Sequence, residues 1–150
     1  MLNQDYKEML QYLQEEGAEF LIVGAYAMAA HGFPRSTADF DIWVNPAKKN
    51  AMRVFRALAK FGAPMQGVSP ADFEKPDTVF QIGVAPCRID IITTISGNID
   101  FDEAFSRAEH HTFKDICLPI LSIDDLIHNK MAAGRSKDLE DVKFLKKNLE

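Results

Sequence analysis

Cysteine is scarce in this sequence: Cys87 and Cys117 are the only two, and they stand far apart. Neither they nor His31, His110, His111 and His128 fall at metal-ligand spacing, which excludes a Cys/His metal framework. Reduced, partly buried thiols in a cytosol fit two such cysteines better than a single disulfide does. An excess of positive charge is also missing. Lys and Arg total 17 against 22 Asp and Glu, giving a formal net charge of -5 and a pI of about 5.4. No global basic field is therefore present to hold a long DNA duplex, although a local basic patch is still allowed. No apolar run approaches the ~20 residues of a membrane span. The chain opens on polar Asn3, Gln4 and Asp5 instead of a basic cap and an apolar core, so the expectation is a soluble, cytoplasmic protein. Internal repeats and low-complexity segments are lacking too. What is present suffices for a core: 150 residues, 47% hydrophobic and 26% charged, suit one domain over residues 1–150.

The chain is organised around residues 20–44. An apolar run ending at Gly24 predicts a buried strand, Ala25 to His31 a short helix, and Gly32 its left-handed stop. A second strand follows and carries two carboxylates. Strand side chains alternate faces, so Asp39 and Asp41 share one side and Phe40 and Ile42 the other. Packing does not explain two acids on an otherwise apolar strand, because unpaired buried charge is costly. Hard divalent cations, Mg²⁺ above all, take oxygen ligands of this kind together with substrate phosphates.

In chain order, Leu2, Tyr6, Met9, Leu10 and Leu13 stand at helical spacing before Gly17. Pro46 sits at the head of a further helix whose apolar stripe is Met52, Phe55, Leu58 and Ala59, closed by Gly62 and Pro64. Turn residues fill Gly67 to Pro76, with a helical turn at Pro70–Glu74, which suggests a loop over the site. Thr78 to Val84 and Arg88 to Thr94 form a hairpin-like pair of strands around Ala85-Pro86. Within the second of these, Asp90 faces away from Ile89 and Ile91 and needs a partner. Two candidates stand open: Arg88 on the same face at i−2, or a metal shared with Asp39 and Asp41. Phe101 to Arg107 suggests a short helix, and Thr112 to Leu121 a strand region turning at Lys114-Asp115. Ser122-x-x-Asp125 is a capping pattern for a helix ending at Gly134. Ser136 caps a last helix with Leu139, Val142, Leu145 and Leu149 inward.

Taken together, Gly24 after a strand, Arg35-x-Thr37-x-Asp39-x-Asp41 and Arg88-Ile-Asp90-Ile resemble the nucleotidyltransferase superfamily with a polymerase-β-like fold. The downstream Lys130-Met-Ala-Ala-Gly-Arg135-x-Lys137-Asp138-x-x-Asp141 is similar to the C-terminal motif of its bacterial toxin-type, abortive-infection branch. The resemblance spans nearly the whole chain. It implies an α/β fold, a small mixed sheet flanked by helices with a C-terminal helical pair. It further implies transfer of a nucleoside monophosphate from an NTP to a hydroxyl on RNA, protein or a small molecule, with Mg²⁺ or Mn²⁺ and with an antitoxin or toxin as partner. On the same footing, Asp39 and Asp41 are metal ligands and Asp90 is the third carboxylate, activating the acceptor. Gly24, Ala25, Arg35, Thr37 and Lys130 surround the nucleotide. One departure stands out: Gly24-Ala25 replaces the Gly-Ser or Gly-Gly usual at this turn, which removes a hydroxyl contact to the γ-phosphate. Backbone N–H groups at the next helix start remain as donors.

Each of these residues also has a plainer role open to it. Lys130 projects from the apolar stripe of its own helix, where a buried salt bridge accounts for it as well as a phosphate does. Arg35 is a phosphate clamp or a surface residue. Asp138 and Asp141 are expected to pair with Lys130 or Arg135. His31 is expected as a surface or turn residue, and Trp43 and Phe40 in the core. Two classes of function stay open, a metal-dependent nucleotidyltransferase and a weakly active or inactive binding module of the same fold acting through a protein partner.

Overall fold

In the computed structural model of the chain, residues 2–149 are described, and Met1 and Glu150, the ends of the expected domain, lie outside them. Helix α1 (Gln4–Glu15) starts where Asn3 Oδ1 accepts the Tyr6 N–H at 2.8 Å, and it buries Tyr6, Met9, Leu10 and Leu13. Strand β1 (Phe20–Ile22) is buried throughout. It leads into α2 (Gly24–Ala30), β2 (Asp39–Val44) and α3 (Lys48–Phe61), which Gly62 ends in the left-handed region. A 3-10 turn at Pro70–Glu74 precedes the hairpin β3 (Val79–Ile82) and β4 (Arg88–Ile92). Then come α4 (Phe101–Ser106), the hairpin β5 (Glu109–Phe113) and β6 (Ile116–Ile120), α5 (Ile123–Ala133) and α6 (Ser136–Asn148).

The six strands form one mixed sheet in the order β3-β4-β2-β1-β6-β5. β2 runs parallel to β4 and β1 parallel to β6, while the remaining pairs are antiparallel. The expected α/β class with a C-terminal helical pair is what the chain adopts. Alternation along β2 divides the molecule. Phe40, Ile42 and Val44 are buried on one side, where Tyr6 of α1 stacks on Phe40 with ring centroids 4.7 Å apart. The other side carries Asp39, Asp41 and Trp43. Trp43 meets Phe101 of α4 edge-on at 4.9 Å and donates its indole N–H to the Thr93 carbonyl at 3.1 Å. Both aromatics of β2 are thus core, and the two acids occupy the part of that face nearer the strand's start.

Several local expectations need correction. The buried stripe of α3 is Asn50, Ala51, Val54, Ala57 and Leu58, whereas Met52 and Ala59 are exposed. Asn50 belongs inside because its amide donates to the Glu19 and Asn45 carbonyls and its Oδ1 accepts from Glu19 N, so a polar side chain is fully matched there. The 3-10 turn does not cover the acidic face. It packs on α3 through buried Phe73. Strand β5 begins at Glu109, three residues ahead of Thr112, and the tight turn is made by Lys114 with φ 57. Helix α6 is capped by Arg135, not Ser136, and its buried side holds Asp138, Asp141, Val142 and Leu145 while Leu139 and Leu149 are exposed. Both cysteines are free and exposed, not partly buried. His31 is at a turn, as expected: it caps the end of α2, with its side chain only 6% exposed and Nε2 2.8 Å from the Leu121 carbonyl. Among the described residues, no helix is long and apolar enough to cross a membrane.

Candidate metal and nucleotide site

Parallel pairing of β2 with β4 places Asp39 opposite Arg88 and Asp41 opposite Asp90. Residues directly opposite in a parallel pair point the same way, so the three acids and the arginine converge on one face. One oxygen from each of Asp39, Asp41 and Asp90 lies within 4.8 Å of the others. Asp90 is buried, at 6% exposure, and Asp39 and Asp41 are half-buried. Burial, with the neighbouring charges of Asp39 and Asp90, raises the pKa of Asp41 from 3.8 to about 7 against the opposing charge of Arg88. Close to neutral pH the cluster is therefore short of positive charge.

Arg88 supplies part of it. Its Nε lies 2.9 Å from Asp90 Oδ1, and its Nη2 lies 3.1 Å from Asp90 Oδ2 and 2.9 Å from Asp39 Oδ2. The sequence offered Arg88 and a shared metal as alternatives for Asp90. The structure brings the three acids into metal-ligand proximity and pairs Asp39 and Asp90 with Arg88 as well. Asp39 is further oriented by Thr37, whose hydroxyl lies 3.0 Å from both its main-chain oxygen and its Oδ1.

Gly24 shapes the floor of the site. It opens α2 at φ +66, and a Cβ added there would overlap Asp41 Oδ2 and lie 3.2 Å from Asp41 Cγ. Only a residue without a side chain lets the β1–α2 turn come this close to the carboxylate while holding that backbone angle. Gly24 and Ala25 border a cavity of about 230 Å³ that also touches Asp39, Asp41, Thr37 and Arg35. From the C-terminal helices it receives Lys130, Arg135, Lys137 and Asp141. Acids of β2 and bases of α5, α6 and the loop before β2 thus line the same space. An all-oxygen donor set of three carboxylates beside a basic, phosphate-sized cavity fits a hard divalent ion such as Mg²⁺ or Mn²⁺.

The basic residues are not equally available. Arg35 grips Asp141 with both terminal nitrogens, Nη1 at 3.0 Å from Oδ2 and Nη2 on Oδ1. Lys130 is buried, with Nζ 2.8 Å from Asp141 Oδ2 and 3.5 Å from Asp138 Oδ1. Arg135 Nε lies 2.6 Å from Asp138 Oδ2. Burial alone would raise both acids, but the hydrogen bonds and charges of Arg35 and Lys130 on Asp141, and of Arg135 and Lys130 on Asp138, outweigh it and hold both below the ordinary carboxylate range. The expected pairing of Asp138 and Asp141 with Lys130 and Arg135 is present. The Arg35–Asp141 contact was not foreseen; it links residues 106 apart in sequence, and no local pattern announces it. Lys137 was passed over as well. It borders the cavity and takes no part in these ion pairs.

A family model described as "Nucleotidyl transferase of unknown function (DUF2204)" matches residues 2–150. The chain belongs to this family. A solved structure from Thermotoga maritima, of a protein proposed to be a nucleotidyltransferase, superposes with a TM-score of 0.61 over 98% of this chain and 96% of that one. At 14% identity that likeness bears on the fold alone. No curated protein matches the chain significantly. Family membership and fold together bear out the nucleotidyltransferase superfamily inferred from the motifs.

Proposed function

We propose that this nucleotidyltransferase-family chain transfers a nucleoside monophosphate from an NTP to a hydroxyl acceptor, using Asp39, Asp41 and Asp90 as the ligands of Mg²⁺ or Mn²⁺. The observation that carries the reading is the convergence of three carboxylate oxygens within 4.8 Å beside a cavity with a basic lining. A bound divalent ion supplies charge neutralisation at the phosphates and a lowered pKa for the attacking hydroxyl. The chain's own residues do the positioning. Thr37 fixes the rotamer of Asp39, and Gly24 admits the triphosphate turn close to Asp41. Asp90, buried and paired with Arg88, would be the third carboxylate holding the ion and would take up the proton of the acceptor hydroxyl. Among the described basic residues that line the cavity, Lys137 is the one whose ammonium is not committed to an acid, and it takes the phosphate contact that the sequence assigned to Arg35 and Lys130. Arg35 and Lys130 hold the cavity wall in place through Asp141.

The acceptor hydroxyl belongs to RNA, a protein or a small molecule. Resemblance of the Lys130–Asp141 segment to toxin-type relatives supports a place in a toxin–antitoxin pair. A second reading, a binding module without turnover, draws on Ala25, which carries no hydroxyl for the γ-phosphate, and on Arg88, which already holds oxygens of Asp39 and Asp90. Calorimetric titration of each NTP with and without Mg²⁺ tests the first step common to both. Binding that strengthens with Mg²⁺ is expected, because phosphate oxygens complete the ion's coordination shell. Absence of heat at millimolar NTP both with and without Mg²⁺ would remove the basis for the proposal.

A further inference from the structure

Arg88 stands among the proposed metal ligands, and the hydrogen bonds of its guanidinium all go to them. One guanidinium nitrogen faces Asp90 Oδ1, while another lies between Asp90 Oδ2 and Asp39 Oδ2 at 3.1 and 2.9 Å. Three oxygens on two of the three cluster acids therefore face a single planar cation. Register explains why: Arg88 is directly opposite Asp39 on the parallel strand and two residues before Asp90 on its own, so its side chain shares their face. A guanidinium keeps its charge at any physiological pH and its fork matches carboxylate oxygens, so this is a durable pairing. Without it, Asp90 would be a buried acid flanked by like charge. With it, a second cation entering the cluster meets both occupied oxygens and a fixed positive charge.

We propose that Arg88 is the resident counter-ion of the carboxylate cluster, a positioning residue that holds Asp39 and Asp90 in ligand geometry when no metal is bound and yields their oxygens when one enters. The inference rests on the metal-dependent reading above and deepens it. Arg88 sets the threshold for metal entry: the site takes a divalent ion weakly alone and well once NTP phosphates add their charge. An arginine that merely strengthened the fold would leave metal affinity untouched when replaced.

The experiment is a Mn²⁺ titration of the full chain without nucleotide, followed by calorimetry and by the electron paramagnetic resonance of unbound Mn²⁺, on wild type, Arg88→Met and Arg88→Lys. Circular dichroism melts in EDTA and in Mn²⁺ accompany it. Arg88→Met should bind Mn²⁺ at least tenfold more tightly than wild type, melt at a lower temperature in EDTA, and gain more from Mn²⁺. Arg88→Lys keeps the charge but loses the fork, and should fall between the two. Unchanged or weaker Mn²⁺ binding in a folded Arg88→Met overturns the proposal. Should Arg88→Met fail to fold, Arg88→Lys decides: tighter binding than wild type upholds the proposal, and wild-type affinity ends it. Equal affinity in all three proteins removes the role of Arg88 and leaves the metal-dependent reading standing, whereas no Mn²⁺ binding in any of them removes both.

Discussion

Gly24 and Asp41 are in such close contact that a single added carbon on the glycine would overlap the aspartate's Oδ2. The turn after β1 and the middle of β2 are thereby fitted to each other across the floor of the site. Gly24→Ala tests how much the site depends on that fit. Strain at φ +66 and displacement of the carboxylate should together lower stability by roughly 1–3 kcal/mol. Mg²⁺-dependent NTP binding should weaken beyond what the stability loss explains, since Asp41 has to move. Thermal melts and calorimetry on the same preparation measure both effects; a variant with normal binding would show that Asp41 is placed by other contacts.

Lys130 and Lys137 border the same cavity but are expected to respond oppositely to loss of charge. Lys130 is buried against Asp141 and Asp138, so Lys130→Met strands negative charge in the interior. Removal of one partner from a buried pair costs about 3–5 kcal/mol, and Arg35 and Arg135 remain to blunt it, so a loss of about 3 kcal/mol is expected. The Mg²⁺-NTP-induced rise in melting temperature should persist. Lys137→Gln should leave unliganded stability unchanged and weaken NTP binding. Melting curves of both variants with and without Mg²⁺-NTP separate the roles, and an exchanged pattern would return the phosphate contact to Lys130.

The titration of Asp41 gives the metal-free protein a pH dependence of definite sign. Its carboxyl holds its proton up to about pH 7 in the folded chain, against an ordinary value of 3.8. Between about pH 4 and 7 the folded state binds this proton and the unfolded state does not, so stability falls as pH rises, by up to about 1.4 kcal/mol per unit. Asp138 and Asp141 are shifted the other way, and their contribution is lost only in more acidic solution. In EDTA, the melting temperature should drop from pH 5 to pH 7 and level off above it, and Asp41→Asn should flatten the slope. A rise over this range in wild type would contradict the raised pKa.

How much of this was legible from sequence depends on whether the signal was local. Asp39, Asp41 and Asp90 stood out because an acid at alternate positions of an apolar strand conflicts with burial, and their convergence needed only parallel pairing of the two strands. Helix α6 misled for the same reason in reverse. Leucine spacing put Leu139 and Leu149 inward, yet the buried side is set by Asp138 and Asp141, which are matched by cations from α5, from the α5–α6 turn and from the loop before β2. Partners supplied from elsewhere in the chain invert what hydrophobic periodicity predicts. Arg88 shows the limit in between: its pairing with Asp90 at i−2 was readable, but its reach to Asp39 depends on strand order.

The most direct test of the central claim is transfer of label from α-³²P-NTP, each of the four in turn, to components of a total cell extract in the presence of Mg²⁺. Wild type should label an acceptor with one or more nucleotides. Asp41→Asn should lose both binding and transfer, and Asp90→Asn should keep much of the NTP binding while transfer falls by at least ~10²-fold. Binding of Mg²⁺-NTP with no labelled acceptor, or transfer by Asp41→Asn and Asp90→Asn at the wild-type rate, would contradict catalysis by the carboxylate cluster.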